Sequence, residues 1–488
     1  MRILASVVPS AAFLIALLMA APAVPAQTAD DDEVLAEAAL LKSALKPWTG
    51  DLDGMVARNM IRVAIPYGIA TYFLDGPTQK GVTYDLALAF EKHLKKHLGL
   101  KDSELTMVVV PTRRDEIFQL LADGRADVAA GSLTVTEERA RLVDFSQPFA
   151  TEVNEVVITG PEIPAGTGFD ALAATEIHVR PSSSYFTHLA ALNAARGEAG
   201  EAALTVVAAD EILNTEDLIE MVNAGLLPAT VADEGLADFV ARIFDNIVVH
   251  KDLAVSGPNS IAWAFRKDSS QLAAAVNGFV AQAHKGTRTG NIVLHKYLKS
   301  TKWAEKALNT EAEDRLTDLV VLFQEYGDRY GFDWLMVGAQ GYQESKLDQS
   351  ARSKAGAIGI MQLLPSTAAD PNVGIPDITT ERNNIHAGVR YLRFLRDRYF
   401  SEPQMSDFDR VAFSFAAYNA GPGNVAKARR LAAKMGLDPD VWFDNVELAI
   451  ARAVSREPVI YVRNIYKYYV AYRRIAEHLT ARHEQRVD

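Results

Sequence analysis

Glu344 closes the segment DWLMVGAQGYQES and precedes the polar, glycine-containing run KLDQSARSKAGAIGIMQLLP. Asp333 is placed to cap a helix there, and Leu335, Ala339 and Tyr342 fall on one apolar stripe, so Glu344 sits in the last turn. The negative end of the helix dipole and partial burial both disfavour its ionisation. A carboxyl group held protonated near neutral pH is a general acid, able to give its proton to a leaving oxygen. Beyond it, Gly356 and Gly359 let backbone approach a bulky ligand, and Gln362 offers a donor and an acceptor. Glycoside hydrolysis ordinarily needs two carboxylates. Asp348, Asp370, Asp377 and Glu381 are the other candidates, but their turn-like or helix-starting contexts are accounted for by capping.

The elements that must hold this acid are helical. FDRVAFSFAAYN places Val411, Phe415 and Tyr418 at helical spacing, and Gly421 and Gly423 around Pro422 predict a turn before a helix capped by Asn424. The last helix, RNIYKYYVAYRRIAEHLTARHEQR, is basic and aromatic and reads as a packed helix with a solvated rim, with membrane-surface or glycan contact as a second reading. Upstream, the texture changes. IRVAIP, LTMVVVP and DVAAG read as strands alternating with the helices YDLALAFEKHLKKHLG and RDEIFQLLADGRA. A second set, IHVRP, LTVVAA and ATVADE with helices between, is followed by a segment from SIAWAF to KYL that returns to the first set. Two α/β lobes joined by crossing strands form a cleft that closes by hinge motion.

The chain of 488 residues, 49% hydrophobic and 23% charged, has material for about three domain-sized units. Arg2, the apolar stretch Ala11 to Ala21 and the small-residue site Val24-Pro25-Ala26 predict a cleavable export signal over residues 1–26, the stretch being too short for a membrane span. Residues 27–57, with DDDE at 30–33, read as an acidic spacer, mobile or helical. Cysteine is absent, which removes disulfides and cysteine-bound metal, and the ten histidines show no ligand spacing beyond the pair His93 and His97. No metal and no cofactor are expected, and a net charge of −12 argues against nucleic acid.

QES at 343–345, Ser353, GIMQ at 359–362, AYNAG at 417–421 and EPVIYV at 457–462 resemble, in order and spacing, the soluble lytic transglycosylase domain, a lysozyme-like fold. The resemblance implies that Glu344 is the single catalytic acid/base and that Ser353, Gln362, Tyr418 and Asn419 line the sugar cleft. Tyr461 is placed among the substrate-binding residues, although it and Glu457 are expected chiefly to organise the core. GVTYDLA at 81–87, LADGRADVAAGSLTVTEERARLVDFSQPF at 121–149 and the AFRKDS to KYL tail resemble extracellular solute-binding proteins of the polar amino-acid class. By that resemblance Arg139 clamps a ligand carboxylate with Thr134, Asp233 pairs with its amino group, and Tyr72 or Phe73 forms an aromatic wall. A guanidinium fork suits a carboxylate. The two together are similar to the membrane-bound lytic murein transglycosylase F family.

The expected fold is therefore a two-lobed α/β periplasmic-binding-protein domain over 58–300 (lobe 1 about 58–160 and 255–300, lobe 2 about 161–254). An all-α (α+β) lysozyme-like domain follows over 301–488. The expected enzyme is a periplasmic lytic transglycosylase that cuts the MurNAc-GlcNAc bond and leaves 1,6-anhydromuramyl ends. Its partners would be peptidoglycan strands and an amino-acid-like or stem-peptide ligand, with peripheral association at the outer membrane. A receptor with a non-catalytic wall-binding domain and a lysozyme-type hydrolase are the alternatives.

Overall fold

The computed structural model describes residues 38–284 and 310–484, apart from 69, 70, 76, 77 and 243. The export signal, the first part of the spacer, the end of the returning segment at 285–300 and the junction at 300–309 lie outside the described residues.

Among the described residues, eleven strands carry the first half: β1 (Met60–Pro66), β2 (Phe73–Asp75), β3 (Thr78–Lys80), β4 (Thr106–Thr112), β5 (Val128–Thr134), β6 (Asp144–Phe145), β7 (Ala150–Thr159), β8 (Glu176–Val179), β9 (Thr205–Ala208), β10 (Ala229–Asp233) and β11 (Val248–Phe265). β2 and β3 form a separate hairpin, and the others join in the order β4-β1-β5-β11-β7-β10-β8-β9, with β6 also on β11. β4, β1 and β5 are parallel in one lobe, and β10, β8 and β9 are parallel in the other. Their short, β-branched, almost wholly buried runs suit strands covered on both faces by helices. The antiparallel pair β7 and β11 runs through both lobes and joins them.

The spacer reading fails for its second half. Ala38, Leu41, Ala44, Leu52 and Met55 are buried in the main core, so residues 38–57 belong to the packed body. The cause is polar as well as apolar. Arg62 and Asp127, both fully buried, pair at 2.7 Å, and the remaining Arg62 donors reach the carbonyls of Ala44, Lys46 and Trp48. A buried guanidinium must satisfy its donors, and this one does so with the incoming chain.

The second half is helical: α1 (Thr310–Tyr330), α2 (Trp334–Ser345), α3 (Pro365–Ala369), α4 (Glu381–Tyr399), α5 (Asp407–Ala420), α6 (Pro422–Met435), α7 (Glu447–Ala453) and α8 (Glu457–Glu484). Asp333 caps α2 through the Leu335 amide, as its position implies. Asn424 does not cap α6. Gly421, at φ 84°, is the N-cap and Pro422 the first helical residue, whose missing N–H costs nothing there. α2 lies between α1 and α8, and α5 packs on α4, α6 and α8.

The solvated rim expected of α8 is also corrected. Lys467 is buried between Asp217 (3.2 Å) and Glu220 (2.7 Å), and Arg463 lies between Glu447 (2.7 Å) and Asp217 (3.6 Å). Asp217 and Glu220 belong to the lobe 2 helix Thr215–Asn223, so the basic face of α8 is a docking surface between the domains. Among the described residues no helix is long and apolar enough to cross a membrane.

Candidate functional site

Glu344 stands in the last turn of α2, which ends on two non-glycine residues with positive φ, Lys346 at 58° and Leu347 at 62°. Burial pushes the Glu344 carboxyl up to about 7, and the hydroxyl of Tyr461 draws it back, donating to Oε1 at 2.5 Å. Tyr461 lies in the first turns of α8, 117 residues away in sequence. Its oxygen in turn accepts from Nε2 of Gln340, at 3.0 Å. Gln340 is fully buried, one helical turn before Glu344 on α2, and its own Oε1 has no hydrogen-bond partner among the described residues. Proton direction along this chain is thereby set. The amide donates, so the tyrosine proton goes to the carboxylate.

The loop opposite Glu344 is held from three sides. Ser345 donates to the Ile360 carbonyl (2.9 Å), Asn384 of α4 accepts from Met361 N (2.8 Å) and donates to the Ile358 carbonyl (2.8 Å), and Tyr418 of α5 donates to the Met361 carbonyl (2.7 Å). Gly341 on α2 and Gly359 on the loop permit the close approach. A Cβ on Gly341 would meet Ile360 at 3.0 Å, and one on Gly359, itself at φ 77°, would meet Asn384 at 2.6 Å. Tyr418, half-buried beside Glu344, is pushed well up by desolvation and then by that carboxylate.

The other expected cleft residues divide. Asn419 is exposed beside Tyr418. Gln362, at φ 44°, spends its amide on the carbonyls of Gly359 (2.9 Å) and Ala351 (3.4 Å), shaping the loop that carries it. The hydroxyl of Ser353 accepts from the Ala357 amide at 2.9 Å and closes the turn before that loop. Glu457 is exposed in the first turn of α8 and organises no core, whereas Tyr461 is buried and touches the acid directly. Sequence reasoning missed Gln340, whose signal was a lone amide in the apolar run WLMVGAQGY, on the face of Glu344.

Among the described residues no carboxylate shifts Glu344. Asp348, Asp370 and Asp377 each accept from the amide two residues on, and from a side chain there too, so all three serve turns. Glu381 is exposed in the first turn of α4. The arrangement is one half-buried, protonatable carboxyl group with an oriented donor beside it.

In the two-lobed half, Arg139 donates to the Thr134 carbonyl (2.9 Å) in its own lobe and to the Ser182 carbonyl (3.0 Å) in the other. Ser184 donates to the wholly buried Glu155 (2.7 Å), and its hydroxyl lies 3.1 Å from that of Thr134. Asp233 is pushed up to about 6 by burial and by Glu155, and accepts from Tyr185 at 3.1 Å. Arg139, Thr134 and Asp233 thus gather where the lobes touch. Tyr72 does not join them. It is buried against Tyr67 and Tyr84 with its hydroxyl on Gln79, while Phe73 lies under the guanidinium of Arg456 from the helical domain.

Residues 321–438 match the transglycosylase SLT domain, and residues 62–299 match the bacterial extracellular solute-binding proteins, family 3. The membrane-bound lytic murein transglycosylase F of Desulfosudis oleivorans is 31% identical over 382 residues, covering 76% of this chain and 78% of that protein. Its counterpart numbered 1 in Alkalilimnicola ehrlichii is 30% identical over 443 residues, covering 87% and 86%. Among solved structures, an ancestral arginine-binding protein bound to arginine is 23% identical, covers 49% of this chain and 98% of its own, and gives a TM-score of 0.40. With both domains matched in one chain and a relative at 31% identity covered over most of its length, the chain belongs to the membrane-bound lytic murein transglycosylase F family.

Proposed function

We propose that Glu344 acts alone, first as acid and then as base, in a lytic cleavage of peptidoglycan. The observation that supports this reading is the half-buried carboxyl of Glu344, raised to about 7, with no second carboxylate acting on it among the described residues. As acid it protonates the oxygen between N-acetylmuramic acid and N-acetylglucosamine. As base it takes the proton from the muramyl C6 hydroxyl, which closes on C1 and gives a 1,6-anhydromuramyl end without adding water. Each proton transfer by a placed side chain contributes about 10² to 10⁴ in rate, so sugar distortion and charge stabilisation must supply the rest. Tyr461 orients the acid. In this reading Asn419 and the loop bearing Gln362 hold the sugar, supported by the bonds of Tyr418 and Ser353 to that loop.

The two-lobed half is proposed to bind a small carboxylate-bearing molecule, an amino acid or a stem-peptide fragment, and to regulate or target the enzyme in the periplasm. Support for regulation comes from α8, which carries Tyr461 at one end and docks on lobe 2 through Arg463 and Lys467. Mass spectrometry of digested sacculi tests the reaction. Anhydromuramyl ends are the expected products, and free reducing ends would show hydrolysis instead.

A further inference from the structure

The chain as a whole is acidic, with 62 Asp and Glu against 50 Lys and Arg, and helices α1, α4, α5 and α8 each mix acids with bases. Helix α6, PGNVAKARRLAAKM, carries Lys427, Arg429, Arg430 and Lys434 and no acid in 14 residues. Its bases divide by direction. Arg429 turns toward the domain, donating to the Pro439 carbonyl (2.9 Å) and pairing with Glu402 (2.8 Å) and Asp440. Lys427, Arg430 and Lys434 are exposed, and their spacing of three and four residues sets them on one face, away from the buried Val425, Ala428 and Ala432. The helix dipole accounts for Lys434 in the last turn but not for Lys427 or Arg430 before it.

This basic face begins beside the sugar-holding residues. Helix α5 ends at Ala420 and α6 starts at Pro422, so Gly421 alone separates the helix bearing Tyr418 and Asn419 from the basic one. Asn419 is exposed, and so are Gly423 and Asn424 in the first turn of α6. A Cβ added at Gly421 or Gly423 would meet nothing within 4 Å, so a polymer passing Asn419 is uncrowded at both glycines. Beyond them, Lys427 lies roughly 8 Å along the helix from Pro422 and Lys434 roughly 18 Å. The three cations thus form a track that leads away from the cleft.

Peptidoglycan has the complementary chemistry. Its sugars are uncharged, but the peptides on its muramyl residues carry more carboxylates than amines. We propose that the outer face of α6 is a contact surface for these peptides, with Lys427, Arg430 and Lys434 engaging their carboxylates on the strand that leaves the cleft past Asn419. This rests on the reading of peptidoglycan as the substrate and adds which part of the polymer is recognised away from the scissile bond. An anionic protein thereby gains one cationic approach to an anionic wall. Because the three side chains are exposed, their contacts are weakened by salt.

Co-sedimentation of the full chain with insoluble sacculi tests the surface without relying on turnover, in a Glu344→Gln background that leaves the wall whole. The probes are native sacculi and sacculi whose peptide carboxylates have been converted to amides. Replacing Lys427, Arg430 and Lys434 together by Gln is expected to weaken binding to native sacculi at least five-fold and to leave binding to amidated sacculi unchanged. Replacing Lys427 and Lys434 by Arg keeps the charge and should preserve binding. Raising salt from about 0.01 M to about 0.15 M, which shortens the screening length from about 30 Å to about 8 Å, should cost the parent at least three-fold and the Gln variant little. Equal loss on both forms of sacculi, or no loss on either, would overturn the proposal. Loss of binding to phosphatidylglycerol vesicles, with binding to sacculi intact, would assign the face to a lipid surface instead. Failure of the lytic reading is distinguishable: a chain with Glu344 intact that releases no anhydromuramyl fragments, yet shows this charge-dependent binding, keeps the contact surface and loses the reaction.

Discussion

The Gln340 amide lies 3.0 Å from the Tyr461 hydroxyl and points that hydroxyl's proton at Glu344. A hydrogen bond donated to a carboxylate favours its charged form, so this pair moderates the upward push that burial gives the acid. Removing either donor must raise the Glu344 pKa above its present value of about 7. For a general acid, activity falls as pH rises through that pKa. Gln340→Leu and Tyr461→Phe are therefore expected to move the alkaline limb of kcat/KM upward by about half a pH unit or more. Gln340→Leu should cost little stability, since it also deletes an unpartnered buried oxygen. A pH profile that drops in height without shifting would show that the amide only packs.

Glu344 itself links pH to stability with a definite sign. Its folded pKa, about 7, lies above the ordinary 4.5, so the folded chain binds the proton more tightly than the unfolded one. That contribution is complete below about pH 4.5 and is lost as pH rises through about 7. Glu344→Gln keeps the shape and has no proton to lose. It should abolish the release of anhydromuramyl fragments and, at pH 8, stabilise the protein by roughly 1–3 kcal/mol relative to the unaltered chain. At pH 4 the two should unfold alike. Equal melting temperatures at both pH values would mean that Glu344 is solvated and ordinary.

Gln362 and Asn419 separate loop-building from sugar-holding. Asn419→Ala is expected to lower turnover ten-fold or more with the melting temperature unchanged, because the side chain is exposed. Gln362→Ala loses two bonds to loop carbonyls at a position of φ 44°, so it should lower turnover and also cost about 1 kcal/mol of stability. Thermal melts beside turnover assays decide between them. An Asn419→Ala protein that melts early would return that residue to the fold.

The parts of this molecule legible in its sequence were those set by local rules. Strand β1 and helix α2 follow from their periodicity and from the Asp333 cap. Glu344 followed from its place at a helix end before a glycine-containing loop. Partners distant in the chain were not legible. Tyr461 meets Glu344 across 117 residues, and no local pattern distinguishes its hydroxyl from the other tyrosines of α8. Residues 38–57 looked detached because acidic, alanine-rich composition says nothing of Arg62, whose buried donors require their carbonyls. The charges of α8 looked solvated because the acids that bury them lie in another domain.

That interdomain cluster gives the last prediction. Glu447, fully buried, has Arg463 as its bidentate partner, and Asp217 is shared by Arg463 and Lys467. Burial pushes the Asp217 carboxyl up, but the two cations outweigh it and hold it below the usual range, so its contribution is present at neutral pH and lost as pH falls through that lowered value. Arg463→Met strands the Glu447 charge and should destabilise the chain by about 3–5 kcal/mol, read by urea unfolding. Lys467→Met is milder, because Asp217 keeps Arg463 and Glu220 is partly exposed. It leaves the Glu344 and Tyr461 contact untouched while loosening the hold of lobe 2 on α8. A ligand can alter cleavage only through contacts that differ between its bound and free states. If lobe 2 acts through this helix, any change in cleavage rate caused by a binder of the two-lobed half should shrink at least three-fold in Lys467→Met, with calorimetric affinity for the binder held. A response of full size in that variant would place the coupling elsewhere than α8.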